Sequence, residues 1–339
     1  MVPENNSVSL EYIKAYARQV APALRYDGRV PATMWQEQAY ARLWALLGLD
    51  YMIPCENDAF TVTEEFDLPD GHAMAFTFES EPGYVVPGYF LLPHGWQGET
   101  LPACLCLQGH STGMHNSLAM LPDRSPNPQE GDRDFLVRAV KEGYVGVCIE
   151  QRYMGTRGIW DGAPGCSANR QASASLLFGR TAIGERVWDV MRLIDALKRH
   201  VPFADTAELV CLGNSGGGTA TFYAACIEKR IKHAIPSCAF CTYKDSIVDL
   251  RHRECNYVPG IAREFDMGDL AGLIAPRDLI IVNGKEDTIF PDHGVREAYA
   301  VAERMYKELG GKLALVTGDG GHRFYADPAW ETLHRFLEN

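Results

Sequence analysis

The sequence predicts an α/β fold: a mostly parallel sheet with helices on both faces, preceded by a helical N-terminal extension. Two observations carry this. Past Pro102, short apolar runs of strand length alternate with longer stretches of helical periodicity, and strands that helices cover on both faces read as continuous apolar runs. Before that point, from Glu64 to Pro93, apolar and polar residues alternate around turn signals, the pattern of antiparallel strands at a sheet edge.

The elements follow in order. Tyr12, Ile13, Tyr16 and Val20 recur at helical spacing, and a second run with Trp35, Tyr40, Leu43, Trp44 and Leu47 stops near Gly48. Pro22 and Pro31 separate the two runs. This extension covers 1–60, and the main domain covers 61–339. Alternation in 64–68 leads to the turn signal Pro69-Asp70-Gly71, and 72–78 and 84–92 read as the next strands. Strands are then expected at 103–107, 143–149, 208–213, 233–237, 278–282 and 312–316. Ile183, Val187, Val190, Met191, Ile194 and Leu197 mark one helical face between them. Val295, Ala298, Ala302, Met305 and Leu309 mark another, which Gly310-Gly311 terminates. The last helix starts at Asp327-Pro328, a capping residue followed by proline at the first helical position. Two long irregular stretches, 153–180 and 240–270, read as lid-like loops or pocket walls.

Composition narrows the partners. The 339 residues are 46% hydrophobic and 22% charged, an ordinary globular composition. The charge sum is 32 − 44 = −12, which disfavours nucleic acid and anionic membranes. No stretch reaches the roughly 20 apolar residues that span a bilayer. The segment from Met1 to Ser9 lacks the basic and apolar regions of a signal peptide, so a cytoplasmic protein is expected. Cys104, Cys106, Cys148 and Cys211 fall in apolar strand runs, where a thiol behaves as a small hydrophobe and no disulfide framework is expected.

The chemistry centres on Gly213-Asn214-Ser215-Gly216-Gly217, a G-x-S-x-G between an apolar strand and a helix-compatible run. That is the strand–turn–helix setting of a nucleophile elbow. Gly216 places its N–H at a helix N-terminus, where it can stabilise an oxyanion. A serine hydroxyl needs a base, and the base needs an orienting acid. In chain order the acid comes next, and Asp287 is the candidate in the loop after 278–282, with Glu286 and Asp292 as rivals. His322, just past the last strand and after Gly320-Gly321, is the candidate base. The second oxyanion donor is expected after the strand at 103–107, at His110, with Ser111 as runner-up.

These residues resemble the α/β-hydrolase superfamily, and within it the acetyl xylan esterase and dienelactone-hydrolase-like branch. The likeness covers about 101–339. Glu150-Gln151-Arg152-Tyr153-Met154-Gly155 stands where such esterases carry Asp-x-Arg-Gly-x-Gly, with Glu for the acid and Tyr153 for the glycine after Arg152. The resemblance implies a serine esterase acting through an acyl-enzyme on small acyl esters, with acetylated carbohydrate as substrate and no cofactor. A prolyl-oligopeptidase-type peptidase or amidase, and a non-catalytic binding module, are the alternatives. All three triad members are present, which argues against the module.

Arg152, Tyr153 and Trp160, near strand C-terminal ends, are pocket candidates. Ordinary packing under long loops is their other reading. Cys238, Cys241, His252 and Cys255 have a spacing a zinc site could use. No metal is assigned, because the segment follows a core strand and reads as a plain lid.

Overall fold

The computed structural model describes residues 8–111, 113–127, 131–158 and 167–338. Its strands are β1 (Thr61–Leu68), β2 (Gly71–Glu81), β3 (Tyr84–Leu92), β4 (Leu101–Leu107), β5 (Val145–Ile149), β6 (Ala204–Asn214), β7 (Ile231–Ser237), β8 (Asp278–Gly284) and β9 (Leu313–Gly318). They form one nine-stranded sheet in the order β1-β2-β3-β5-β4-β6-β7-β8-β9. The pairs β1–β2, β2–β3 and β3–β5 are antiparallel. Every other neighbouring pair is parallel. The antiparallel edge and the parallel body both follow the sequence pattern.

The helices are α1 (Ser9–Ala17), α2 (Ala32–Leu47), α3 (Phe135–Lys141), α4 (Ser167–Leu176), α5 (Ala182–His200), α6 (Gly216–Ile227), α7 (Ile261–Glu264), α8 (Met267–Leu270), α9 (Asp292–Leu309) and α10 (Ala326–Glu338). Successive strand side chains point to opposite faces, and the core divides accordingly. Ala103, Leu105 and Leu107 of β4 join Leu209 and Cys211 of β6 and Leu279 and Ile281 of β8 in one cluster, which α5, α6 and α9 cover. Cys104, Cys106, Val210, Leu212, Ile280 and Val282 face the other way, under α3 and α10. The strand cysteines are small buried apolar groups, and all described cysteines are free thiols.

Two expectations change shape. Trp35, Ala39, Leu43 and Leu47 of α2, spaced one per turn, belong to the same cluster as the sheet strands. Thus α2 is built into the main core, whereas α1 buries no residue. The stretch 240–270 is a chain of short helical turns rather than a loose lid. Phe240, Cys241 and Phe265 are fully buried in it, in one cluster with Phe222 and Tyr223 of α6 and Val295 and Ala298 of α9. Among the described residues no helix is long and apolar enough to cross a membrane. The parallel strands β4, β6, β8 and β9 end on one rim, so the loops after them converge.

Candidate active site

Ser215 occupies the turn between β6 and α6 with φ 57° and ψ −123°. Side chains avoid this region of backbone space. The surroundings hold it there: Ser215 N donates to Ser237 O at 2.8 Å, and Thr219 N donates to Ser215 O at 2.8 Å. The flanking glycines are sterically required. A Cβ on Gly217 would stand 1.8 Å from Leu107 O, and one on Gly213 would stand 2.6 Å from the same atom. Strand and helix therefore approach to backbone contact, and the serine is pushed out at the rim.

His322 follows β9, and its Nδ1 lies 2.9 Å from Asp287 Oδ2. The other carboxylate oxygen of Asp287 accepts from Ile289 N at 2.7 Å and Phe290 N at 3.0 Å. Burial raises the Asp287 pKa, but the His322 hydrogen bond and charge and the two backbone donors outweigh it and hold the group below its ordinary value. The rivals are placed elsewhere: Glu286 is exposed, and Asp292 accepts from Arg296 Nε at 2.7 Å. Phe290 stacks on the His322 ring, centroids 6.1 Å apart.

Ser215 and His322 line one cavity of about 60 Å³, together with Gly109 and His110. Among the described residues Ser215 and His322 form no hydrogen bond to one another. Gly109 lies against the elbow, where a Cβ would be 2.7 Å from Asn214 O and 3.1 Å from Ser215 Cβ. Two contacts set the imidazole of His110. It packs on Gly216, and its Nε2 is 3.1 Å from Cys255 Sγ. Burial, then the nearby charges of Arg186 and Arg253, push its pKa down to about 3. The ring is therefore neutral at any ordinary pH.

Arg152 and Tyr153 are placed away from this cavity. Arg152 is buried, with Nε and Nη2 donating to Asp189 Oδ1 at 3.0 and 2.8 Å, and Nη2 is 2.8 Å from Glu81. Tyr153 donates to Glu185. The pocket expectation is corrected for both: the carboxylates of β2 and α5 draw them into a buried ionic network. Trp160 lies outside the described residues. The four thiol and imidazole candidates for zinc are dispersed. Cys238 Sγ donates to Arg323 O at 3.2 Å, Cys241 Sγ faces Pro291 O, Cys255 faces His110, and His252 Nε2 is 3.0 Å from Ser246 Oγ. The described group within metal-ligand reach is Cys238 with Asp287 and His322, whose ligand atoms lie within 4.8 Å of one another.

Sequence reasoning missed two arginines. Arg133, before α3, lines the cavity itself. Arg186 of α5 is buried, and among the described residues its Nη1 and Nη2 have no partner. Neither sits in a motif, so no spacing marks it.

No family model matches the chain. It is 27% identical over 154 residues to YtaP of Bacillus subtilis (strain 168), whose name gives it provisionally as a hydrolase. That match takes in 44% of this chain and 48% of the relative, so the chain matches about half the relative's length. All of the chain (100%) superposes on 97% of a Bacteroides fragilis NCTC 9343 protein provisionally named an acetyl xylan esterase, with TM-score 0.80 and 15% identity. It also superposes, over 95% of its length and 98% of the other chain, on a glucuronoyl esterase from Solibacter usitatus, with TM-score 0.65 and 15% identity. With the strand order and the serine turn after β6, these likenesses define the α/β-hydrolase fold.

Proposed function

We propose that the chain is a serine carboxylic ester hydrolase with Ser215, His322 and Asp287 as its triad. One observation carries this: the Asp287–His322 pair, joined at 2.9 Å, opens into the cavity that the strained Ser215 also lines. His322 Nε2 takes the Ser215 proton as Oγ attacks the acyl carbonyl. Asp287, ionised and triply hydrogen bonded, fixes the tautomer with the proton on Nδ1 and stabilises the imidazolium. The N–H groups of Gly216 and His110 receive the oxyanion. His322 then protonates the departing alcohol, leaving an acyl-Ser215 ester. Water then adds to the acyl carbonyl as His322 takes its proton, and collapse of that adduct releases the acid as His322 returns the proton to Ser215 Oγ. The names of the structural neighbours, acetyl xylan esterase and glucuronoyl esterase, support an ester, and a small acyl group on a carbohydrate alcohol is the substrate favoured.

The test offers the purified chain p-nitrophenyl acetate, longer acyl esters and aminoacyl p-nitroanilides, with Ser215→Ala as control. Acetyl ester turnover that Ser215→Ala abolishes is expected. Equal rates for both proteins would remove the assignment, and release from amides alone would make the enzyme an amidase.

A further inference from the structure

The chain has a net charge of −12, yet its cleft is short of negative charge. Among the described residues that line it, Arg133 is the one permanently charged and none is a carboxylate. The Arg133 backbone is fixed. Its carbonyl accepts from Gln108 Nε2 at 2.8 Å. The adjoining Asp132 pairs with Arg323 at 2.9 Å and accepts from Ala326 N at 3.0 Å. The guanidinium, by contrast, is barely used. Among the described residues, Nη2 reaches only the His322 carbonyl at 3.5 Å, and Nε is buried without a partner.

A second spare cation stands behind His110. Arg186 is 1% exposed, its Nε donates to Arg152 O at 3.2 Å, and both Nη atoms are unpartnered among the described residues. Its neighbours are treated differently: Arg152, Arg157 and Arg180 each meet a carboxylate of Glu81, Glu185 or Asp189. An unpaired buried guanidinium is costly, and an incoming anion relieves that cost. Among the described residues, therefore, Arg133 at the cavity wall and Arg186, whose charge acts on His110, both lack a carboxylate partner.

We infer that the ester this site takes carries a separate anionic group, a carboxylate being the simplest, and that Arg133 receives it at the cleft. Arg186 adds a favourable field from behind His110. The inference rests on the ester-hydrolase reading and narrows its substrate class. Arg133 is a specificity residue in it, because a guanidinium binds a carboxylate with paired, directional hydrogen bonds.

Two matched pairs of esters test it. Mono-4-nitrophenyl succinate and its methyl ester differ by a charge on the acyl half, and 4-acetoxybenzoate and its methyl ester differ by a charge on the alcohol half. The native chain, Arg133→Gln and Arg133→Lys are compared by kcat/KM, with melting temperatures to confirm folding. In at least one pair the native chain should favour the charged member by roughly tenfold or more. Arg133→Gln should collapse that ratio, Arg133→Lys should restore part of it, and added salt should shrink it. Ratios that Arg133→Gln leaves unchanged, or a native preference for the neutral member of both pairs, would overturn the inference. Should no ester react, the hydrolase reading falls, and the anion site is read by binding alone. Thermal stabilisation by succinate or 4-hydroxybenzoate that Arg133→Gln removes would sustain it, and no stabilisation would end it.

Discussion

The imidazole of His110 lies so close over Gly216 that a Cβ built on the glycine stands 3.0 Å from His110 Nδ1. Gly216 is the first residue of α6, with helical backbone, so alanine suits its conformation and raises intrinsic helix propensity by about 1 kcal/mol. The other close atom, Met154 Cε at 2.9 Å, ends a flexible side chain and can yield. The ring cannot, since Cys255 backs it at 3.1 Å. Gly216→Ala should therefore keep its melting temperature while the segment carrying the His110 N–H shifts. A fall in kcat/KM for p-nitrophenyl acetate on the order of tenfold to a hundredfold is expected. Full activity in the folded variant would show that this contact does not position the oxyanion donors.

Glu150 should give the fold a measurable pH dependence. Its carboxylate sits between the loops after β4 and β5, accepting from Met114 N at 3.1 Å and Thr156 N at 3.2 Å. Burial pushes its pKa from 4.5 to about 7, against those donors and the charge of Arg157. The folded chain thus holds a proton that the unfolded chain has released between these two values. Stability from this group falls as pH rises through that window, by at most about 1.4 kcal/mol per pH unit. Burial also raises Glu185 to about 7 and Asp269 to about 6, giving slopes of the same sign. His110 and His252, held neutral by burial, give the opposite slope below about pH 6.5. The Glu150 share is therefore read as the stability of the native chain relative to Glu150→Gln in urea unfolding, which should fall from about pH 5 to about pH 7. An unaltered slope in the variant would leave the pH dependence to the other groups.

Arg152 should matter for stability rather than for substrate. Its paired hydrogen bonds to Asp189 and its contact with Glu81 are fully desolvated. Burial alone would raise Asp189, but Arg152 and Arg157 outweigh it and hold the group at about 2. The stability this supplies is present above its ordinary value and disappears as pH falls through about 2. Breaking one partner of a buried pair costs roughly 3–5 kcal/mol. Arg152→Met should therefore lower the urea midpoint steeply, and adding Asp189→Leu should recover part of the loss. A midpoint within error of the native value would mean that Arg157 and Arg180 carry the network alone.

Legibility divides along physical lines. The sheet and the serine turn after β6 are legible because periodicity and turn chemistry are local. The choice of Asp287 over Glu286 and Asp292 needs space, since all three lie close after β8, Asp292 opening α9, and only Asp287 turns inward to His322. Arg133 was invisible because its one described guanidinium contact is with a residue 189 positions away. Tyr153 is instructive. It stands where the resembling esterases have glycine, and it keeps a left-handed φ of 69°. Its hydroxyl bonds to Ser175 and Glu185 hold a conformation that the sequence alone marks as unsuited to a large side chain.

The elbow itself makes a prediction that separates stability from catalysis. With φ 57° and ψ −123°, Ser215 sits in a region costing on the order of 1–3 kcal/mol for any residue with a Cβ. Ser215→Ala removes the hydroxyl and keeps the strain. Ser215→Gly removes both, at the expense of about 0.5–1 kcal/mol of extra freedom in the unfolded chain. Relief exceeds that loss over most of this range, so Ser215→Gly should melt above Ser215→Ala, with neither turning over p-nitrophenyl acetate. Were the alanine variant the more stable, the backbone at Ser215 would not be strained. The serine would then be held out at the rim by the packing of Gly213 and Gly217 on Leu107 alone.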